Sequence, residues 1–543
     1  MRERLGETVG KSESKRREVR ERFKWLDAKH VVDDKGRDPS HAEYDANTVR
    51  VPPDLKLSAS QKQYWDVKSK FRDVVLFFKV GKFYELYEDD AEIGCAALDW
   101  KMTVSGVGHC RQVGCPESGV DAATAELVRR GYKVGRIEQM ETAAEAKART
   151  GSATAVIRRE LLSVTSPATA VDGDLPCVLT SHASASSMDA TAAHLLVIAE
   201  GLPTADVDAE ARAKENDESS RESSGEEKAR PTEKKKDETT IIGFAFLDAA
   251  AGTLRVGSFA DDASRVALST LLTQTSPVEV LVRRGALGVS AATETALAKT
   301  PRAPKTISRV SNTKGDGVSF FPSNSRDADE ELTRFFRLND KDGGVCDALV
   351  KERLKHHPLE TKCAVAALAS HLTRLRCAAP LLAAEIKTHS VYAPNSTARL
   401  DGPTIRHLEL LCGPDGSIEG SLLSKLDRCV TAGGSRTLRK WLTAPLRLED
   451  DIAMRQDAVA FFGGFERLER RGSEGEEKPE TETACTSGHF VADAAGRLQR
   501  ALRRMPDLER CVGRARAASA ATTADPRALP FPLAEKRHAR RVA

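Results

Sequence analysis

Asp73 to Val80 (DVVLFFKV) is a continuous apolar run of the length expected for a buried strand, and Gly81 ends it. Upstream, Tyr64, Trp65, Val67 and Phe71 recur at loosely helical spacing, which predicts a helix from Ser58 through Lys70. Downstream, Glu88 to Leu98 has the composition of a short helix, and GVGHCRQVGCPESGV is predicted as a glycine-rich loop. Asp121 to Arg130 predicts a helix with Asp121 as its N-cap and Gly131 past its end, followed by a strand over Tyr132 to Glu138. Strand, helix, loop, helix and strand make one compact α/β domain, assigned to residues 58–165.

A second α/β unit, residues 175–325, follows from the next set of patterns. LLVIAE (195–200), TTIIGFAFLDAA (239–250) and GTLRVGSF (252–259) predict strands, the last two as a hairpin. A helix over Asp262 to Thr273 and a strand over VEVLVRR (278–284) complete a mixed sheet flanked by helices. From about Glu330 the pattern turns helical, through EELTRFFRLND, CDALVKERLKH and TKCAVAALASHLTRLR to LAAEIKTH, giving a mostly helical region over 326–517. Its end, LQRALRRMPDLERCVGRARA, predicts two helices broken near Met505 and Pro506. The fold class is therefore multidomain α/β plus α.

Charge changes this picture at the margins. Residues 206 to 238 hold 20 charged side chains and no aromatic, so the segment is expected to be a disordered insertion. A second charged insertion is expected at 466–484, and a loosely ordered tail at 518–543. Residues 1–57 divide into a charged tract of 20 residues and an extended segment, which has no core of its own and is expected to be fastened to another part of the protein by Phe23, Trp25 and Tyr44. With 83 Lys and Arg against 80 Asp and Glu, the net charge of +3 gives no general basic field, so any nucleic-acid surface has to be local. The N-terminus has no apolar core of an export signal, no run reaches the roughly 18–20 apolar residues of a membrane span, and no membrane is expected as a partner. The 11 cysteines include no CxxC and fit neither a disulfide framework nor a zinc ligand set, so no metal is expected.

The search for catalytic strings returns no GxxxxGK[ST], no HExxH and no GxSxG, and no enzyme activity or cofactor is expected of these residues. Glu85, Glu88, Asp89, Asp90 and Glu92 form an acidic cluster of the kind two-metal nucleases use, but acids at a helix start complement its dipole and are expected to face water. KVGKFYELYEDDA is of another kind. Phe83 and Tyr84 follow Gly81 at the end of a buried strand, where a turn can project a ring outward. An aromatic wedge so placed can enter a base step from the minor groove.

The string FFKVGKFYELYEDDAEIG (77–94) resembles the mismatch-binding domain of MutS proteins, with their Gly-x-Phe-Tyr-Glu motif. CRQVGCPESGVDAATAELVRRGYKVGRIEQMET (110–142) is similar to the same domain's loop, helix and Glu-Gln strand end. FKWLDAKH, AEYDANTVRVPPDL and KQYWDVKSKFRDVVLFFKVGKFYELY resemble the eukaryotic branch of the sixth and seventh MutS homologues, and LDWKMTVSGVGHCRQVG is most like the plant-type seventh. The mixed-sheet unit is similar to the MutS connector domain, RNase H-like by that resemblance, and LDGPTIRHLELLCGPDGSIEG onward (400–459) to the core, or lever, domain.

The resemblance implies recognition of mismatched duplex DNA in the nucleus, with Phe83 as the intercalating ring and Glu85 as the carboxylate that hydrogen-bonds the displaced base. It offers Lys82, Lys101 and Arg111 as possible DNA backbone contacts. Tyr84 is expected to pack inward, and Leu400, Leu408, Leu410 and Leu411 to be core. Family members use ATP and Mg through a C-terminal ATPase domain and pair with the second MutS homologue. As the sequence is given it stops inside the lever, so a truncated member is expected, monomeric and weak on DNA alone. Residues 61–150 carry 14 basic and 14 acidic side chains, so phosphate affinity is expected from a partner subunit, a clamp or the basic N-terminal tract. Two other classes compete: a scaffold paralogue that binds only proteins, and a nuclease or ATPase.

Overall fold

The apolar run forms β1 (Val74–Val80), whose first five residues are buried, and a six-stranded sheet is built around it. The computed structural model describes residues 18–523 apart from 105–109, 153–154, 171–192, 204–238, 286–287, 301–303, 305, 312–317, 340–344, 393–396 and 464–495. β2 (Phe83–Tyr87), β3 (Thr103–Val104), β4 (Arg111–Pro116), β5 (Lys133–Gln139) and β6 (Arg159–Thr165) join β1 in the order β3-β4-β2-β1-β5-β6. Only β1 and β5 run parallel.

One face of this sheet packs Leu76, Phe78, Ile137 and Leu161 against Tyr64 and Trp65 of α1 (Ala59–Lys68). Ser58 starts α1 through a capping box with Gln61, satisfying two of the otherwise orphaned N–H groups. Phe23 stacks on Trp65 at 5.9 Å, Trp25 meets it edge-on at 5.1 Å, and Tyr44 Oη accepts from Arg72 at 2.8 Å, so the N-terminal segment is fastened as expected. The opposite face packs Val75, Phe77, Tyr84 and Leu86 against α2 (Asp89–Leu98) and α3 (Val120–Arg129). α4 (Ala143–Thr150) follows β5.

Three local expectations are corrected. The loop expected over 106–120 contains β4, in which Val113 and Cys115 point into the core while Gly114 and Pro116 are exposed. Glycine and proline on the open face hid that alternation. The cap of α3 is Gly119, and Asp121 lies in the first turn, where it pairs with Arg136. The acids at the start of α2 do not all face water: Glu88 and Asp90 are each only 1% exposed. Glu88 accepts from the backbone N–H and Nε of Arg111, both at 2.8 Å, and Asp90 accepts from Tyr64 Oη, Lys68 Nζ and the Leu76 N–H. Buried carboxylates need such donors, and these hold α2 to the sheet.

The second sheet comprises β7 (Leu195–Pro203), β8 (Thr240–Asp248), β9 (Thr253–Asp261), β10 (Glu279–Arg283), β11 (Thr306–Val310) and β12 (Glu385–Thr388), in the order β11-β10-β7-β8-β9-β12. α5 (Val266–Thr275) and α6 (Ala291–Ala298) cover the face of Leu196, Ile198, Ile242 and Phe244. The other face packs Leu195, Val197 and Leu247 against α7 (Ser325–Asn339) and α9 (Leu359–Arg374), which flank α8 (Val345–Leu354). Thus the helices that begin the helical region in sequence pack on this sheet. A Cβ at Gly243 would stand 2.3 Å from the backbone of Glu360 and Thr361, so glycine lets α9 lie directly on β8. EIKT, expected as helix, is β12, an edge strand parallel to β9.

Beyond lie α10 (Gly402–His407), α11 (Leu422–Leu426), α12 (Ala432–Thr443), α13 (Glu449–Gly463) and α14 (Leu508–Thr523). Leu410 and Leu411 are buried with Ile405 and Leu423, and Leu400 packs beside them. Leu408, the residue that caps the C-terminus of α10, is 60% exposed and is not part of that core. The insertions expected at 206–238 and 466–484, most of the N-terminal tract and the chain after Thr523 lie outside the described residues.

The sheets meet at a buried ionic junction. Lys133 Nζ stands 2.9 Å from Glu279 Oε1 and 3.3 Å from Asp73 Oδ2, and donates to Ser308 Oγ at 2.8 Å. Arg374 on α9 reaches Asp73 at 2.7 Å, and His371 Nε2 lies 3.6 Å from Glu279.

Candidate nucleic-acid interface

The turn between β1 and β2 is two residues long, with Val80 paired to Phe83 across it. Gly81 takes a φ of 60° at its first central position, as a II′-type hairpin requires. β2 then alternates. Tyr84 and Leu86 point into the core, while Phe83, Glu85 and Tyr87 share the other face. Phe83 is 53% exposed at the tip, whereas Tyr84 beside it is 2% exposed. A single exposed ring is common on protein surfaces; what distinguishes Phe83 is its place at the tip of a tight hairpin, directly beside a buried neighbour.

The tip is held from behind. Tyr84 Oη donates to Glu138 on β5, and Lys79 Nζ sits 2.9 Å from Glu117 Oε1 and 3.4 Å from Glu138 Oε2. The Lys82 carbonyl accepts from the Glu117 N–H at 2.9 Å. Burial and Glu138 together push the Tyr84 phenol well above its ordinary value, so it remains a donor.

Glu85 faces Gly114 across β4 and Phe78 across β1. Gly114 leaves the flank of the carboxylate uncovered; a Cβ there would meet the Tyr84 carbonyl at 2.7 Å. Tyr87 Oη donates to Glu85 Oε2 at 2.6 Å. Arg159 of β6 lies over the Phe78 ring at 5.0 Å, with its Nε donating to the Lys79 carbonyl.

The structure brings together Phe83, Glu85 and the exposed Lys82 of the turn. Arg111 and Lys101 lie at the other end of the strands, roughly 15 Å away by the usual rise per residue. The Arg111 guanidinium there pairs with Glu88 and Glu92, and Lys101 is exposed just before β3, which pairs with the Arg111 and Gln112 end of β4. Sequence reasoning missed Tyr87, although the period-two pattern of FYELY carries it. It also missed Arg159, which only the β5–β6 pairing brings near. Among the described residues no group of His, Cys, Asp or Glu could hold a metal, and no helix is long and apolar enough to cross a membrane.

An α/β domain presenting an aromatic tip beside a carboxylate, joined to a mixed-sheet domain and then to helices, defines a modular protein of a recognisable kind. Residues 58–174 match the model of MutS domain I, residues 230–381 that of MutS domain II and residues 403–538 that of MutS domain III. The chain belongs to the MutS family. It is 36% identical over 514 residues to the DNA mismatch repair protein MSH7 of Arabidopsis thaliana, an alignment covering 92% of this chain and 38% of that protein. It is 30% identical over 458 residues to MSH6 of Saccharomyces cerevisiae, covering 83% and 33%, and 29% identical over 486 residues to Msh6 of Homo sapiens, covering 81% and 32%. The chain thus spans about a third of the length of these relatives.

Proposed function

We propose that this chain carries the mismatch-reading part of a nuclear MutS-type mismatch repair subunit. Phe83 enters a base step from the minor groove, and Glu85 accepts a hydrogen bond from the displaced base. The observation that supports this most is the exposed ring of Phe83 on a braced hairpin, on the same strand face as Glu85. A mispaired step stacks poorly and kinks at lower cost than a paired one, so a wedge that needs a bent duplex selects mismatches by deformability. Unstacking costs a few kcal/mol per step, offset by ring stacking and added backbone contacts.

Lys82 is the backbone contact nearest the wedge, and Lys101 and Arg111 serve only a duplex that runs along the strands toward their far end. The reading region is neutral, with 14 basic and 14 acidic side chains over 61–150, so most of the grip on phosphates comes from a partner, the second MutS homologue. In this reading the second sheet is the connector, RNase H-like in kind, and the helices from α10 on are the lever. The 543 residues hold no GxxxxGK[ST] string to cradle nucleotide phosphates, so no part of the reading step is routed through ATP or Mg. Fluorescence anisotropy with a labelled heteroduplex and its fully paired counterpart tests the proposal. Tighter binding to the heteroduplex at one fixed salt concentration is expected, and equal affinity contradicts it.

A further inference from the structure

The hydroxyl of Tyr87 has no part in the reading step just described, yet it donates to Glu85 Oε2 at 2.6 Å. Its ring is held independently of that bond. It meets Tyr64 edge-on at 4.9 Å and Phe78 at 5.9 Å, within the cluster under α1. The hydroxyl is therefore delivered to Glu85 from a ring packed between Tyr64 and Phe78. Glu85 itself lies across from Gly114, which offers no side chain to confine it.

We infer that Tyr87 is a positioning residue for mismatch reading: it ties one oxygen of Glu85 and leaves Oε1 as the acceptor offered to a displaced base. This rests on the reading proposed above. A glutamate has three rotatable bonds, and one that must be ordered when DNA arrives loses affinity to that ordering. Tying Oε2 in advance removes that cost for the base-specific contact alone. A site held in its productive geometry by a packed second residue discriminates better than a loose one. The bond also occupies one of the two carboxylate oxygens. The displaced base then has to bring an N–H donor to a single acceptor.

Tyr87→Phe keeps the ring and removes only the hydroxyl. In the full 543-residue chain, the preference for heteroduplex over paired duplex should fall about three- to tenfold, the factor of ordering one side chain at binding. The melting temperature should stay within a few degrees of wild type. In a Glu85→Gln background the same substitution should cause no further loss of preference, because the hydroxyl acts only through the carboxylate. Unchanged preference in Tyr87→Phe, beside a wild-type chain that does prefer heteroduplex, overturns the role of Tyr87 and leaves the mismatch reading standing. An equal loss in both backgrounds, or a loss matched by a large fall in melting temperature, makes the hydroxyl merely structural and overturns it too. A wild-type chain with no preference overturns both.

Discussion

Lys133, the first residue of β5, and Glu279, the first residue of β10, stand 2.9 Å apart with both side chains buried, so an ion pair joins the first sheet to the second. The contact is Coulombic, without aligned hydrogen-bond geometry on Glu279. Asp73 and Arg374 complete it, which gives two carboxylates and two cations around a neutral His371.

Removing one member leaves an uncompensated buried charge. Lys133→Met should destabilise the chain by about 3–5 kcal/mol, the usual cost of breaking a buried pair. The double variant Lys133→Met, Glu279→Gln leaves Asp73 with Arg374 and should recover most of that loss. Urea denaturation of the single and double variants checks this; equal losses would mean that the pair does not act as a unit.

Stability should fall on acidification in two windows. Burial pushes His389 down to about 4, with Arg255 beside it adding to the effect. The unfolded chain takes up this proton near 6.5 while the folded chain refuses it, so stability present above 6.5 is lost as pH falls from 6.5 to 4. Burial alone would raise the Glu279 carboxyl, but the Lys133 charge beside it outweighs that and leaves it at about 2. Its contribution is complete above 4.5 and is lost as pH falls from 4.5 toward 2. Urea midpoints measured across this range should decline throughout, and His389→Leu should make the upper window less steep.

Gly243→Val should destabilise strongly, because the new side chain meets the backbone of Glu360 and Thr361 and α9 cannot yield without leaving β8. Thermal unfolding checks this, and a melting temperature within a degree of wild type would show that α9 adjusts freely.

Glu85→Gln separates mismatch reading from generic DNA binding. Loss of the negative charge removes a repulsion from phosphates and should tighten binding to paired duplex. Binding to a mismatch should gain less, or fall, because a charge-assisted bond of about 1.5–3 kcal/mol is lost as well. Equal tightening on both duplexes would reduce Glu85 to a surface acid.

Much of this architecture was legible in the sequence because apolar runs declare buried strands whatever surrounds them. DVVLFFKV and the 239–259 hairpin are found within a residue or two of where those runs lie. What was not legible depends on partners distant in the chain. β4 carries glycine and proline on its open face, EIKT becomes a strand only because β9 has a free edge, and Glu88 and Asp90 are buried only because Arg111 and Lys68 come to meet them. The tip residues Phe83 and Glu85 were visible as a motif. Their support by Tyr87, Glu138 and Arg159 needed the sheet order to bring β2, β5 and β6 together.

The central claim, that Phe83 is a wedge held out for DNA and not a core residue, is tested most directly by the discrimination ratio of Phe83→Ala, measured by anisotropy on heteroduplex and paired duplex with thermal unfolding alongside. With its ring already 53% exposed, the substitution should leave the melting temperature nearly unchanged. It should lower heteroduplex affinity by about 1–3 kcal/mol, roughly ten- to a hundredfold, and abolish the preference over paired duplex. Unchanged discrimination together with a large drop in melting temperature would contradict the account.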